Sequence, residues 1–127
     1  MATPGMSGIT ATRVGHCLVV TVTRDLSEGV LDAARQATLE GVQSDGAKAA
    51  ILELTAVPFM DSHEFTQVRA IARMAELLGA RTAIVGLQPG IIAHLMAANV
   101  ETAGVLAFLG LDEALAALDA RVRGDHA

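Results

Sequence analysis

The chain concentrates groups capable of chemistry in the run Asp61-Ser62-His63-Glu64. Asp61 and Glu64 have the spacing of a capping box, in which two side chains satisfy free backbone N–H groups at the start of a helix. Ser62 would then lie in the first helical turn, near the positive end of the helix dipole, where a phosphate is well tolerated. We therefore predict that Ser62 is a regulatory phosphorylation site. Helix capping alone is the alternative, because Asp and Ser are common at helix starts.

Catalysis and metal binding by the same four residues are disfavoured. A serine hydrolase presents its nucleophile in Gly-x-Ser-x-Gly, whereas Ser62 lies between Asp61 and His63. An adjacent carboxylate would also oppose a developing oxyanion. Neighbouring side chains diverge around a helix, so we expect His63 to be exposed and to form no metal site with Asp61 and Glu64. The chain is therefore predicted not to be an enzyme.

A second junction, Gly86-Leu87-Gln88-Pro89-Gly90, follows a predicted strand. It contains neither Gly-x-x-x-x-Gly-Lys nor Gly-x-Gly-x-x-Gly, so we predict no nucleotide loop and no cofactor. Two glycines around a proline are typical of a turn. An enzyme or small-ligand carrier that uses this junction is still an alternative, because ligands bind outside the carboxyl ends of strands in open α/β sheets.

Alternating strands and helices must position these two junctions. Apolar and β-branched runs predict strands at residues 9–13, 16–23, 49–54, 81–86 and 105–108. Helical periodicity separates the later strands, with Ser27, Asp61 and Asp112 as caps and Pro89 in a first turn. This order predicts an α/β fold with right-handed crossovers: a mixed, mostly parallel sheet of about four to five strands with about four helices.

Glycines and apolar stripes define the later helices. Gly79 is predicted to end the second helix and Gly124 the fourth. His94 lies among apolar residues and is predicted to be partly buried. Apolar faces are predicted on the third and fourth helices, made respectively by Ile91, Ile92, Leu95 and Met96, and by Leu111, Leu115, Leu118 and Val122.

A single domain is predicted for residues 9–122, with a flexible lead at 1–8 and a tail at 123–127. The chain is 52% hydrophobic, which is enough to bury a substantial core. The first residues lack the basic and apolar regions of a signal peptide, and no apolar run has the length of a membrane span. We therefore expect a cytoplasmic protein that makes no membrane contact.

Charge and cysteine content exclude further classes of function. The formal net charge is −5, aromatic residues make up 2% of the chain, and no basic cluster is present, so we do not expect nucleic-acid binding. Cys17 is the single cysteine, which rules out an internal disulfide and a cysteine-rich zinc site. Its apolar neighbours predict a small, inert core residue.

The run Phe59-Met60-Asp61-Ser62 and the order of the elements resemble the STAS domain, the fold of bacterial anti-sigma factor antagonists. The resemblance covers residues 9–120. Residues 74–81 and 84–91 look like the corresponding segments of the stressosome branch of this family. The run at residues 16–20 is similar to the start of its RsbS-type single-domain proteins.

In that family, a partner serine kinase phosphorylates the serine that follows the Asp, so the resemblance implies Ser62 as the phosphate acceptor. It also implies a non-enzymatic regulator of bacterial stress signalling that sequesters a switch kinase of the GHKL ATPase type. The other implied partners are paralogous STAS proteins in an oligomeric stressosome and a PP2C-type phosphatase. The partner-binding residues would be Asp61, His63, Glu64, Gln88 and Pro89.

One pair of residues departs from the family pattern. His63-Glu64 replaces the Ser-Gly of the common antagonist motif, and His63 replaces the Phe that often follows the serine in RsbS proteins. A histidine here would alter kinase recognition or add mild pH sensitivity. A freely diffusing antagonist that binds an anti-sigma factor kinase directly is the alternative within the same fold.

Overall fold

Five strands form a mixed sheet in the order β1-β2-β3-β4-β5. This computed structural model describes residues 8–102 and 104–122. The strands are β1 (Ile9–Val14), β2 (Cys17–Val22), β3 (Ala49–Glu53), β4 (Arg81–Val85) and β5 (Ala107–Phe108). The helices are α1 (Glu28–Gln43), α2 (Ser62–Leu77), α3 (Pro89–Ala97) and α4 (Leu111–Val122). β1 is antiparallel to β2 and the other neighbours are parallel, so the predicted mixed, mostly parallel α/β sheet is confirmed.

Helices cover both faces of this sheet. α1, α2 and α3 pack on one face, where their apolar side chains meet Leu18, Val20 and Leu52. α4 packs on the other face, where Leu118 belongs to the same cluster as Ile51. The first four residues of β3 are buried, because this central strand is covered on both sides.

α1 lies close to β2 because Gly41 has no side chain. A Cβ atom at this position would lie 2.4 Å from Leu18 Cδ2. The helix begins after the predicted cap, Ser27, whose hydroxyl accepts a hydrogen bond from the N–H of Val30 at 3.3 Å. Side-chain capping and close packing therefore fix both the start of α1 and its distance from the sheet.

The last strand and helix differ from their predictions. β5 begins at Ala107 instead of Val105. α4 begins at Leu111, so Asp112 lies in its first turn and is not its cap. Leu118 is buried, as predicted.

The predicted lead and tail lie almost entirely outside the described residues. This applies to residues 1–7, to residues 123–127 and to the helix end predicted at Gly124. Gly8 is described, and its carbonyl accepts hydrogen bonds from the backbone N–H and the hydroxyl of Thr23, both at 2.9 Å. The predicted domain boundaries stay predictions.

α3 buries a narrower stripe than its apolar pattern predicts. Ile91 and Leu95 are buried, but Ile92 is 44% and Met96 is 64% exposed. Successive residues are rotated by about 100° around a helix, so Ile92 and Met96 turn away from the core that holds Ile91 and Leu95. His94 is also exposed, so its predicted partial burial was wrong.

Candidate functional site

The predicted capping box at the start of α2 is confirmed. The N–H of Glu64 donates to Asp61 Oδ1 at 2.7 Å, and the N–H of Asp61 donates to Glu64 Oε1 at 2.9 Å. Asp61 has extended backbone angles, as an N-cap requires. The helix ends before Gly79, whose φ of +96° is the conformation expected of a C-terminal glycine. Two carboxylates therefore flank the first turn of α2.

Ser62 is the first residue of α2 and is half-buried. Its carbonyl accepts a hydrogen bond from the hydroxyl of Thr66 at 2.8 Å. Within the described part of the chain, the hydroxyl of Ser62 itself has no hydrogen-bond partner. The capping box does not use the N–H groups of Ser62 and His63. A hydroxyl beside free N–H groups is a suitable position for a phosphate.

Buried side chains fix this helix start on the sheet. Phe65, in the first turn of α2, is 1% exposed, and Met60, just before the cap, is fully buried. Val57 is also fully buried, and its N–H donates to the carbonyl of Leu54 at 2.9 Å, directly after β3. The loop between β3 and α2 is thus held on both sides of an exposed pair of residues.

The exposed pair is Pro58 and Phe59, and Phe59 is 57% exposed. The Phe59 ring packs against the imidazole of His94 on α3, with ring centroids 5.3 Å apart and planes inclined by 56°. This contact was not predicted, although an aromatic residue between a proline and the helix cap was a visible signal. It joins the loop before Ser62 to α3.

The ends of β3 and β4 meet tightly beside this loop. Gly86 has a φ of +85°, and a Cβ atom there would lie 2.3 Å from Thr55 Oγ1 and 2.7 Å from Thr55 N. Thr55 also donates its N–H and its hydroxyl to the carboxylate of Glu53, at 2.7 and 2.9 Å. Gln88 Nε2 donates to the carbonyl of Thr55 at 3.5 Å, and Pro89 occupies the first turn of α3 as predicted. Close packing against Thr55 therefore explains why position 86 is a glycine, and a bound ligand is not needed for that explanation.

An apolar cleft of about 230 Å³ lies beside this junction, under α3. Its described lining is apolar apart from Thr102. Charged metabolites and nucleotides need several convergent polar groups, which this lining does not offer, and a small apolar ligand stays an untested alternative.

His63 lies in a polar groove between α1 and α2. The groove has a volume of about 310 Å³ and is also lined by Glu28, Asp32, Arg35 and Gln67. Arg35 pairs with Asp32 at 2.7 Å. The predicted exposure of His63 is confirmed. Across the described residues, no group of three or more His, Cys, Asp or Glu side chains could hold a metal ion.

The residues predicted to bind a partner therefore lie at the starts of α2 and α3. Both starts are on the edge of the sheet formed by the carboxyl ends of its parallel strands. Asp61 follows β3 and Gln88 follows β4, and these strands are parallel neighbours. The hydrogen bond between Gln88 and Thr55 links the two connections. The structure brings the predicted residues to one edge, and their binding role stays a prediction.

Cys17 lies far from this edge, on the face covered by α4. It is buried, and burial raises the pKa of its thiol above the ordinary value; Asp119 raises it further and Arg13 lowers it. The prediction of a buried core cysteine is confirmed. Among the described residues, none of the helices combines the length and the apolar composition that a membrane span requires.

Comparison with known proteins decides the family. Residues 8–116 match the family model of the STAS domain. The chain belongs to the STAS domain family. The predicted resemblance is thereby confirmed, and the mixed sheet with its helices is a STAS fold. No curated protein sequence gives a significant match.

Solved STAS structures superpose on most of the chain. A variant of RsbS from Moorella thermoacetica, with a serine replaced by glutamate, has a TM-score of 0.77 and 21% identity over 91% of this chain and 97% of its own. A structure described as the molecular architecture of the stressosome has a TM-score of 0.70 and 20% identity, over 90% of this chain and 99% of its own. Unphosphorylated SpoIIAA, an anti-sigma factor antagonist, has a TM-score of 0.65 and 19% identity, over 91% of this chain and 98% of its own. At these identities the similarity establishes the fold.

Proposed function

We propose that this STAS protein is a non-enzymatic, cytoplasmic regulator of bacterial stress signalling, controlled by phosphorylation of Ser62. The observation that carries the proposal is the position of Ser62: the first residue of α2, outside the core, with a hydroxyl that has no hydrogen-bond partner in the described ranges. Structural neighbours support it, since they include a phosphorylated form of SpoIIAA from Bacillus and the serine-to-glutamate variant of RsbS.

In the proposed mechanism, the unphosphorylated surface around Ser62 sequesters a GHKL-type serine kinase. That kinase transfers the γ-phosphoryl group of ATP to Ser62 Oγ; ADP leaves, and the hydroxyl proton passes to a base of the kinase. The phosphate brings a charge of about −1.5 to −2 at pH 7 beside Asp61 and Glu64. A kinase surface that binds the neutral serine then faces this phosphate without a counter-charge of its own. The kinase is therefore released.

Ser62 would return to its starting state when a PP2C-type phosphatase removes the phosphate. The other proposed partners are paralogous STAS proteins, with which this chain would form a stressosome. The stressosome structure among the neighbours supports this assembly.

The direct test uses purified GHKL-type serine kinases encoded by the host genome. Each is incubated with the full chain and ATP, and phosphate is mapped by mass spectrometry. We expect one kinase to label wild-type protein and not Ser62→Ala. Thr55→Ala and Thr66→Ala are matched controls, because both remove an exposed hydroxyl near the same edge. Labelling that persists undiminished in Ser62→Ala contradicts the proposal.

The freely diffusing antagonist is the second candidate, favoured by the similarity to SpoIIAA. The two candidates differ in particle size. Analytical ultracentrifugation of the chain mixed with the paralogous STAS proteins of its host should show megadalton particles for a stressosome component. A soluble antagonist would sediment as a monomer or dimer in the same mixture.

A further inference from the structure

The chain exposes an aromatic ring three residues before Ser62, the proposed phosphorylation site. It has three phenylalanines and no tyrosine or tryptophan. Phe65 is buried and Phe108 is partly buried, whereas Phe59 is 57% exposed. Large aromatic side chains are usually kept from water in a monomer and are enriched at protein interfaces.

The Phe59 ring is supported on one side before any partner binds. Val57 and Met60, on either side of the exposed pair, are fully buried and hold the backbone. His94 packs against the ring in a tilted arrangement with centroids 5.3 Å apart. A ring held in this way loses little conformational freedom when it enters a pocket, which favours its use as an anchor.

Phe59 lies close enough to Ser62 along the chain to belong to the same interface. Three peptide units separate their Cα atoms, which are therefore at most about 11 Å apart. A typical interface buries about 800 Å² on each partner, which corresponds to a radius of about 16 Å. A standard interface centred on Ser62 thus extends beyond the Cα atom of Phe59.

Resting on the proposed function, we propose that Phe59, supported by His94, is the apolar anchor that docks this protein on its Ser62 kinase. The matching kinase surface is an apolar pocket that receives the ring, with polar but uncharged groups facing the exposed Asp61, because a cationic rim would bind the phosphorylated form more tightly than the neutral one. A few residues in well-packed, desolvated pockets contribute most of the binding energy of an interface, and phenylalanine is enriched in interface cores.

The anchor and the phosphate have separate roles in this arrangement. Phosphorylation of Ser62 adds charge next to Asp61 and leaves the Phe59 ring unchanged. Removing the ring should therefore weaken kinase binding to both forms by a similar factor. Changing a flanking charge should instead alter the ratio between the two affinities.

The experiment measures the dissociation constant of the kinase that labels Ser62, by calorimetry with ADP present. The full chain is compared as wild type, Phe59→Ala, Phe59→Leu and Leu77→Ala. Leu77 is the matched control, because it is 86% exposed at the opposite end of α2. We expect Phe59→Ala to weaken binding at least about 10-fold, Phe59→Leu less, and Leu77→Ala less than about 2-fold.

The outcomes separate the two proposals. If wild-type Ser62 is labelled but Phe59→Ala and Phe59→Leu bind as wild type does, the anchor is refuted and the proposed function stands. An equal loss in Leu77→Ala also refutes it, because the effect is then unrelated to the docking edge. If no host kinase labels Ser62, the proposed function fails and the anchor fails with it. Should Phe59→Ala fold poorly, the conservative Phe59→Leu still decides the matter.

Discussion

Removing the side chain of Asp61 tests whether the capping box holds the start of α2 in place. The Asp61→Ala variant loses the hydrogen bond that Asp61 Oδ1 accepts from the N–H of Glu64 at 2.7 Å, and a lost cap costs about 1 kcal/mol. The reciprocal bond from Glu64, at 2.9 Å, loses the geometry that supports it, which adds about 0.5–1.5 kcal/mol. We expect a free energy of unfolding lower by about 1.5–2.5 kcal/mol and a melting temperature lower by about 6–10 °C.

The assay is urea unfolding followed by circular dichroism, and Asp61→Asn is the control. Asparagine caps a helix as well as aspartate does, so Asp61→Asn should lie within about 0.5 kcal/mol of wild type. It removes the charge beside Ser62 while keeping the helix start. The reasoning is refuted if Asp61→Ala is as stable as wild type. It is also refuted if both variants lose the same stability, because charge and not capping would then be responsible.

Two further predictions concern the packing that supports the site. Gly86→Ala should lower the free energy of unfolding by about 2–4 kcal/mol, because its Cβ would collide with Thr55 and its φ is +85°. Gly46→Ala, with a φ of +70° and open space around it, should cost about 1–2 kcal/mol from the backbone alone; equal losses in urea unfolding would exclude the collision. For Cys17, burial raises the thiol pKa, so the unfolded chain releases the proton first and the free energy of unfolding falls as the pH rises above about 8. Cys17→Ala should lack that component, and an identical pH slope in both proteins would contradict the prediction.

Features that depend on local sequence were predictable. The capping box needs two side chains three residues apart at the start of a helix, and both are present in the printed chain. The strands were predicted because buried parallel strands are apolar along their whole length. Composition and order of elements were enough to indicate the α/β class, and the run before Ser62 indicated the family.

Features that depend on packing between distant segments were not predictable. The apolar stripe of α3 includes Ile92 and Met96, but which part is covered depends on how the helix lies on the sheet. The contact between Phe59 and His94 joins residues 35 positions apart, and no local pattern specifies it. The collision that requires a glycine at Gly86 likewise involves Thr55, on the preceding connection.

The loop before α2 has a consequence for divergence among paralogues. The side chains of Val57 and Met60 are buried in the core. Those of Pro58, Phe59 and Asp61 are exposed to solvent. Substitutions at the outward positions, such as Phe59 and His63, therefore change what a partner meets with little effect on folding. After duplication of such a gene, a few exposed side chains can diverge and alter what this surface binds, while the original sheet and helices stay intact.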